Sequence, residues 1–227
     1  MNASANPHIV EIVGLAGAGK TALSHALTRM DAHVHLGQFP DVRQLSNAPF
    51  FFWNGLQTSL TLPRPRNDQT RKLTRREFAW MCILRGWPNR LTKSWDSDEL
   101  IVLDQGPVYL LTELCEFGPD YLKVSVAEEY WSSLCARWAQ TLDAIIWLDA
   151  RDEDLMARIR HRDKEHIVKR ETDEATIAFL ERYRRAYSHL ILKLTMAHPD
   201  LPILRFNSSQ FSPEEIAANL LLELDLV

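Results

Sequence analysis

The feature that most restricts the fold of this 227-residue chain is a glycine-rich segment between a short apolar run and a helical pattern. Residues 8–13 (HIVEIV) form a β-branched run typical of a buried strand. Residues 14–21 (GLAGAGKT) match the phosphate-binding pattern G-x-x-x-x-G-K-[ST] in full, and a helix is predicted over residues 20–30. Since strand, loop and helix follow in the order that this loop requires, the sequence predicts an α/β fold with a P-loop.

The chemistry of such a loop follows from its backbone. Small residues allow consecutive N–H groups to point at phosphate oxygens, and the positive end of the following helix adds to their field. Lys20 would place a charge at the β and γ phosphates, and the Thr21 hydroxyl is a ligand for magnesium. ATP and Mg²⁺ are therefore the predicted cofactors; the alternative is a glycine-rich turn that binds no nucleotide. The predicted nucleotide-binding residues are Gly14, Ala16, Gly17, Ala18, Gly19, Lys20, Thr21 and Ala22.

Further apolar runs alternate with helical patterns, as in a parallel sheet with crossover helices, and predict a single domain over residues 1–227. Residues 37–68 are the least regular stretch and are expected to fold over something. Gly86, followed by Pro88, is predicted to end a helix. The remaining signals are predicted strands near 32–36, 100–104, 144–149 and 202–206, and predicted helix starts at Thr74, Ser125 and Ser212.

Aspartates end two of the predicted strands. Asp104 stands where an open α/β sheet faces its ligand. It could bind magnesium, take a proton from an acceptor hydroxyl, or cap the helix that opens near Pro107. We predict the first two roles for Asp104. Asp149 is interpreted as the cap of a helix that begins near Arg151.

Two arginines follow the fourth strand at helical spacing. Arg158 and Arg162 lie four residues apart and so share one helix face. Their guanidinium groups could clamp the transferred phosphoryl oxygens. The alternative is a solvated helix with mixed charges. The predicted catalytic residues are Lys20, Asp104, Arg158 and Arg162.

Taken together, these segments resemble the thymidylate kinase and deoxynucleoside kinase branch of the P-loop kinases. The glycines of residues 14–21 match the family form G-x-x-G-x-G-K-[ST], residues 157–162 (ARIRHR) resemble its lid helix, and a long helix follows at 179–187. The resemblance implies a three-layer P-loop NTPase fold. It would have a five-stranded parallel sheet flanked by helices and a helical lid over residues 151–171.

The same resemblance implies transfer of the γ-phosphate of ATP to a small acceptor, a nucleoside or nucleoside monophosphate. The acceptor side departs from the family, because residues 104–106 read DQG in place of Glu-Arg-Ser or Asp-Arg. Two other functions stay open: phosphorylation of a non-nucleotide alcohol such as an antibiotic, and a regulatory NTPase switch. The sequence contains no N-K-x-D guanine motif.

The acceptor site is predicted from family analogy and aromatic character. Arg85 lies roughly where thymidylate kinases bind the acceptor phosphate. Phe52, Trp53 and Trp80 offer flat faces on which a base could stack, with core packing as the alternative.

Composition bears on partners and location. The net charge of −4 gives no bulk electrostatic reason to expect nucleic acid or an anionic membrane as partner. No apolar run is long enough to span a membrane, and residues 1–7 lack a signal-peptide pattern and are predicted to be disordered. A cytoplasmic location is therefore expected. The helices at 107–117 and 125–140, with Trp131 and Trp138, could pair in a homodimer, or the tryptophans could pack in the core.

Overall fold

The computed structural model describes residues 7–63, 71–93, 95–96, 98–162 and 166–224. Of the segment predicted to be disordered, residues 1–6 lie outside this part, while Pro7 is described and buried. The described chain forms a parallel sheet with helices on both faces. The predicted α/β fold class is confirmed.

Five strands run parallel in the order β2-β3-β1-β4-β5. The P-loop strand β1 lies in the middle, and residues 9–13 on it are at most 2% exposed because helices cover both faces. All five carboxyl ends meet at one edge of the sheet, where ligands bind in open α/β folds. The strands are β1 (His8–Gly14), β2 (Val34–Leu36), β3 (Leu100–Asp104), β4 (Ala144–Asp149) and β5 (Ile203–Asn207).

Eight α-helices complete the layers of the described chain. The first packs against the eighth, and the fourth and fifth pack against the seventh, while the second lies on the third. The fourth helix continues into a π-helical turn over Glu113–Phe117. The helices are α1 (Lys20–Met30), α2 (Ala48–Thr61), α3 (Arg75–Leu91), α4 (Pro107–Thr112), α5 (Glu128–Ala139), α6 (Asp152–His161), α7 (Asp173–Ala197) and α8 (Pro213–Glu223).

Some of the predicted helix signals are correct and others are wrong. Thr74 and Ser212 each form a complete capping box. Ser125 instead begins a short 3₁₀ turn, and α5 starts at Glu128 without a side-chain cap. The predicted helix end at Gly86 is also wrong, because α3 continues through Pro88 to Leu91. Burial of Trp87 and Leu91 in the core holds this last turn in place despite the proline.

The stretch predicted to be least regular contains a regular helix, α2. Its small residues Asn54, Gly55 and Thr58 are buried, while Phe52, Trp53, Leu56 and Leu60 are exposed and only Phe50 and Phe51 pack partly on the core, so it lacks the regular pattern of a helix that packs on a core. This arrangement is the reason that the sequence did not indicate a helix there.

The tryptophans considered for a dimer contact lie in the core. Trp131 and Trp138 are buried, and their indole N–H groups donate to Leu122 O at 2.7 Å and Leu84 O at 2.9 Å. Core packing is therefore the correct alternative for them. No helix of the described residues is long and apolar enough to cross a membrane.

Candidate functional site

The P-loop connects the end of β1 to the start of α1 at the centre of the sheet edge. Gly17 has a φ of +84°, which favours glycine, and a Cβ there would lie 2.9 Å from Leu155 O on α6. A Cβ on Gly14 would lie 2.3 Å from Leu148 O on β4. The glycines are thus needed because β4 and α6 approach the loop backbone closely.

Lys20 lies inside the loop that precedes it. Its Nζ donates to Gly14 O at 2.8 Å and to Leu15 O at 3.1 Å. Burial lowers the pKa of Lys20 to about 8, against the attraction of the Asp104 carboxylate. The ammonium group therefore stabilises the loop through these two carbonyls, and it also lines the cleft next to the loop.

Asp104 and Thr21 meet across the mouth of this loop. The Thr21 hydroxyl donates to Asp104 Oδ2 at 2.7 Å, although 83 residues separate the two. Asp104 does not cap α4, whose N-cap residue is Gly106 and has no side-chain capping bond. No cluster of three or more His, Cys, Asp or Glu side chains suited to a metal exists in the described residues. A hydroxyl beside one carboxylate fits Mg²⁺, which takes few protein ligands and keeps waters or phosphates as the others.

A buried carboxylate, missed in the sequence, supports this end of the sheet. Glu11 on β1 is completely buried and accepts hydrogen bonds from Val108 N at 2.7 Å and Tyr109 N at 3.0 Å. It therefore caps α4 from a neighbouring strand. Burial raises the pKa of Glu11 to about 8, although the backbone donors oppose the shift. The available signal was a glutamate in the middle of an otherwise apolar strand.

A cleft of about 420 Å³ opens from the P-loop toward α4 and α7. At its far end Tyr183 donates to Glu113 Oε1 at 2.7 Å, and burial raises the pKa of Glu113. These far-end residues were not predicted, since they come from two helices more than sixty residues apart. Beyond the loop itself the cleft is lined by Asp104, Gln105, Tyr109, Glu113, Arg158, Arg162, His166, Phe179, Tyr183 and Tyr187.

Both predicted lid arginines lie at this cleft. Arg158 on α6 donates to Gly17 O at 3.2 Å, to Ser208 Oγ at 2.9 Å and to Ser208 O at 2.8 Å. It thus joins the P-loop to the segment between β5 and α8. The prediction that Arg162 shares a helix face with Arg158 is wrong, because α6 ends at His161 and Arg162 is extended, but Arg162 still lines the cleft. Residues 163–165 of the predicted lid lie outside the described residues.

A second cavity, of about 310 Å³, adjoins the other side of the P-loop. Gly19, Ala22 and Arg158 line both this cavity and the main cleft. Its walls are mainly apolar and include Ala22, Leu148 and Phe211. A flat apolar ring of a ligand held by the loop could therefore lie there.

The interpretation of Asp149 as a helix cap is wrong. Arg151 is the N-cap residue of α6 and makes no side-chain capping bond. Asp149 instead pairs with Arg184 of α7 at 3.3 Å, and the same guanidinium reaches Asp152 at 2.7 Å. The guanidinium group of Arg184 on α7 therefore links the end of β4 to the start of α6.

The residues predicted for the acceptor lie away from the cleft lining. Phe52 and Trp53 are on the outer side of α2, 74% and 58% exposed. Arg85 of α3 donates to Gln57 Oε1 at 2.9 Å and to Thr61 Oγ1 at 3.2 Å, both on α2. Trp80 meets the ring of Tyr109 edge-on at 6.3 Å and so lies one layer behind the cleft wall.

Known proteins provide a comparison for this geometry. No family model and no curated protein matches the sequence. The solved structure of thymidylate kinase from Candida albicans matches with a TM-score of 0.54 and 13% identity, over 98% of this chain and 93% of its own. Deoxyadenosine kinase from M. mycoides with bound dCTP gives a TM-score of 0.51 and 14% identity, over 95% and 99%. The YorR protein from Bacillus subtilis in complex with phosphorylated GDP gives 0.50 and 14%, over 96% of both chains.

These matches define the class of fold. The sheet order, the P-loop after β1 and the full-length coverage identify a three-layer P-loop fold shared with thymidylate and deoxyadenosine kinases. The resemblance that the sequence motifs suggested is therefore confirmed at the level of the fold.

Proposed function

We propose that this chain is an ATP-dependent phosphotransferase that moves the γ-phosphate of ATP to a hydroxyl group of a small acceptor. The observation that carries the proposal is the 2.7 Å hydrogen bond from Thr21 Oγ1 to Asp104 Oδ2. It sets a carboxylate beside the phosphate-binding loop, where such a reaction needs a metal ligand and a base. The thymidylate and deoxyadenosine kinases of the same fold support a nucleoside or nucleoside monophosphate as acceptor.

The donor half of the reaction uses the P-loop. The loop amides bind the phosphate oxygens, and Lys20 exchanges the carbonyls of Gly14 and Leu15 for the β and γ phosphates. Arg158 and Ser208, together with the apolar cavity beside them, bind the nucleobase of ATP. Arg162 faces the charge that develops on the γ-phosphate.

Thr21 and Asp104 are the residues that would hold Mg²⁺. When bound, the ion neutralises phosphate charge and orients the β and γ phosphates. Asp104 has a further role at the acceptor. Its carboxylate takes the proton of the acceptor hydroxyl while that oxygen bonds to the γ phosphorus, and the bond from this phosphorus to the bridging oxygen breaks to release ADP.

The far end of the cleft is the proposed acceptor site. Tyr109, Phe179 and Tyr183 supply aromatic faces there, and Glu113 supplies a hydrogen-bond acceptor. This arrangement suits a flat ring that carries N–H or O–H groups.

A coupled ADP-release assay over nucleosides, nucleoside monophosphates and small alcohols tests the proposal. We expect ADP release that depends on an acceptor. For the acceptor found, Asp104→Asn should lower kcat by about 100-fold or more, because the variant loses the base, while the Kd for ATP changes much less.

Asp149→Asn is the matched control. It removes a carboxylate from the end of the adjacent strand, outside the cleft lining, and should leave kcat nearly unchanged. ATP hydrolysis that no acceptor stimulates would favour the NTPase switch. An unchanged kcat in Asp104→Asn would contradict the role of this carboxylate.

A further inference from the structure

A third cavity, of about 340 Å³, lies on a different side of the π-helical turn from the cleft. Thr112 at the end of α4 and Cys115 and Glu116 of the turn line this cavity. Glu113 of the same turn lines the cleft, and among the described residues none lines both spaces. The volume falls in the range of roughly 300–1,000 Å³ that small-molecule sites occupy. The π-helical turn therefore stands between the proposed acceptor site and a separate space of ligand size.

The floor of this cavity is apolar and shielded from solvent. Leu122, Trp131 and Leu190 line it and are 1%, 4% and 5% exposed. They come from the segment before α5, from α5 and from α7, so the cavity lies where three parts of the chain meet. Such a surface stabilises a mainly apolar ligand, because it removes the ligand from water.

Thr112 adds a polar group to this apolar surface. It is 1% exposed, and its hydroxyl has no hydrogen-bond partner among the described residues. Thr61, Thr141 and Thr176 each donate to the carbonyl oxygen four residues earlier, at 2.8–2.9 Å, as threonines in helices often do. Thr112 does not make this bond. A buried hydroxyl without a partner is unfavourable, so a ligand that pairs with it gains a hydrogen bond at no cost to the protein.

The charges at the mouth of the cavity cancel. Two lysines, two glutamates and His189 line it, and their formal charges at pH 7 sum to zero. Each lysine and glutamate is already in an ion pair. The pairs are Lys193 with Glu128 at 3.0 Å, Lys123 with Asp120 at 3.2 Å and Arg182 with Glu116 at 3.1 Å. The mouth therefore attracts an ion of neither sign, and the apolar floor offers an ion no countercharge.

We propose that this cavity is a further ligand site, which binds a neutral, mainly apolar small molecule whose one hydrogen-bonding group pairs with Thr112. The apolar floor holds the body of the molecule, the Thr112 hydroxyl fixes its orientation, and the cancelled charges exclude ions. Because the site shares no lining residue with the cleft, the proposal does not rest on the phosphotransferase activity.

Titration of the ¹⁵N-labelled protein with benzyl alcohol, followed by NMR, tests the proposal. The reporter is the indole N–H of Trp131, which donates to Leu122 O at the floor of the cavity. We expect a saturable shift of this signal with a Kd on the order of 1 mM, as befits a ligand of so few atoms. Benzoate and benzylamine are similar in size but charged, and they should bind at least about tenfold more weakly.

Two variants locate the probe. Thr112→Val replaces the hydroxyl by a methyl group of the same shape, and the Kd for benzyl alcohol should rise about fivefold, the effect of one hydrogen bond. Its melting temperature should not fall, because the hydroxyl has no partner to lose. Ala186→Phe fills the cavity from α7 and should abolish the shift.

Tyr183→Phe is the matched control, because it removes a hydroxyl on the cleft side of the same turn. It should leave the Kd for benzyl alcohol unchanged. The proposal is overturned if the parent shows no saturable shift, if either charged analogue binds as tightly as the alcohol, or if Thr112→Val or Ala186→Phe keeps the Kd of the parent. A Kd that only Tyr183→Phe raises would place the probe in the cleft and would also overturn it.

Discussion

Lys20 carries the charge proposed to hold the nucleotide, and its protonation depends on its burial. Because the pKa of Lys20 is lowered to about 8, the ammonium form prevails below that pH and the neutral amine above it. We expect the Kd for ATP to increase about tenfold between pH 7 and pH 9, since the phosphates require the charged form. Titration calorimetry at fixed Mg²⁺ measures this change.

Lys20→Arg is the control for that titration, because a guanidinium group stays charged over the same range. Its Kd for ATP, whatever its value, should vary little with pH. An equally steep dependence in both proteins would attribute the effect to another group.

Glu11 leads to a second pH-dependent expectation. Its pKa is raised from 4.5 to about 8, so the folded protein keeps a proton that the unfolded chain loses over this interval. The free energy of unfolding should therefore fall as the pH rises from about 4.5 to 8, by at most about 1.4 kcal/mol per pH unit from this group.

The measurement is urea denaturation of the parent and of Glu11→Gln across that interval. The difference in unfolding free energy between the two should change with pH, because glutamine does not titrate. Parallel curves would show that Glu11 is ionised in the folded protein and is stabilised by the amides of Val108 and Tyr109.

The individual site residues differ in how far the sequence could predict them. The loop residues and Asp104 belong to local patterns, a glycine motif and a strand end, and both were assigned from the sequence. Glu113 and Tyr183 are brought together only when α4 and α7 pack, so no local pattern indicates their contact. The role of Glu11 depends in the same way on a helix almost a hundred residues further along the chain.

At the scale of the elements, a substitution between α2 and α3 can distinguish a structural role of Arg85 from a role in acceptor binding. Arg85 joins the two helices through Gln57 and Thr61. Arg85→Ala should lower the free energy of unfolding by about 1–2 kcal/mol, in line with the loss of two hydrogen bonds. Since Arg85 does not line the cleft, the KM for the acceptor should change little.

Urea denaturation and steady-state kinetics on the same samples measure both effects. A large increase in the KM for the acceptor with unchanged stability would restore the substrate-binding role that family analogy predicted for Arg85.

The strands were predictable because a continuous apolar run between turn signals is typical of a strand that helices cover on both faces. All five predicted strands exist, within a few residues of their predicted ends. Helix α2 and the last turn of α3 were missed for different reasons. Helix α2 buries small residues and exposes four of its large apolar ones, and the last turn of α3 contains a proline that tertiary packing tolerates.

For the molecule as a whole, the proposal of a single domain predicts one cooperative unfolding transition. The donor site contacts β1, β3, α6 and the segment before α8, so a bound nucleotide should stabilise all of them together. With Mg²⁺ and ATP at about 100 times its Kd, the transition should shift as one by roughly 5–10 °C.

Scanning calorimetry checks both parts of this prediction. Lys20→Ala should keep the single transition and lose most of the shift. Two separate transitions in the parent, of which ATP moves only one, would show that the chain contains two folding units.

The close approach of Gly17 to Leu155 has a mechanical consequence for α6, the helix that begins the predicted lid. With no side chain between them, the P-loop backbone rests directly on the backbone of α6. A ligand that shifts the loop toward α6 must move that helix as well, since no compressible layer lies between the two. Occupation of the loop and the position of α6 are then coupled through this contact.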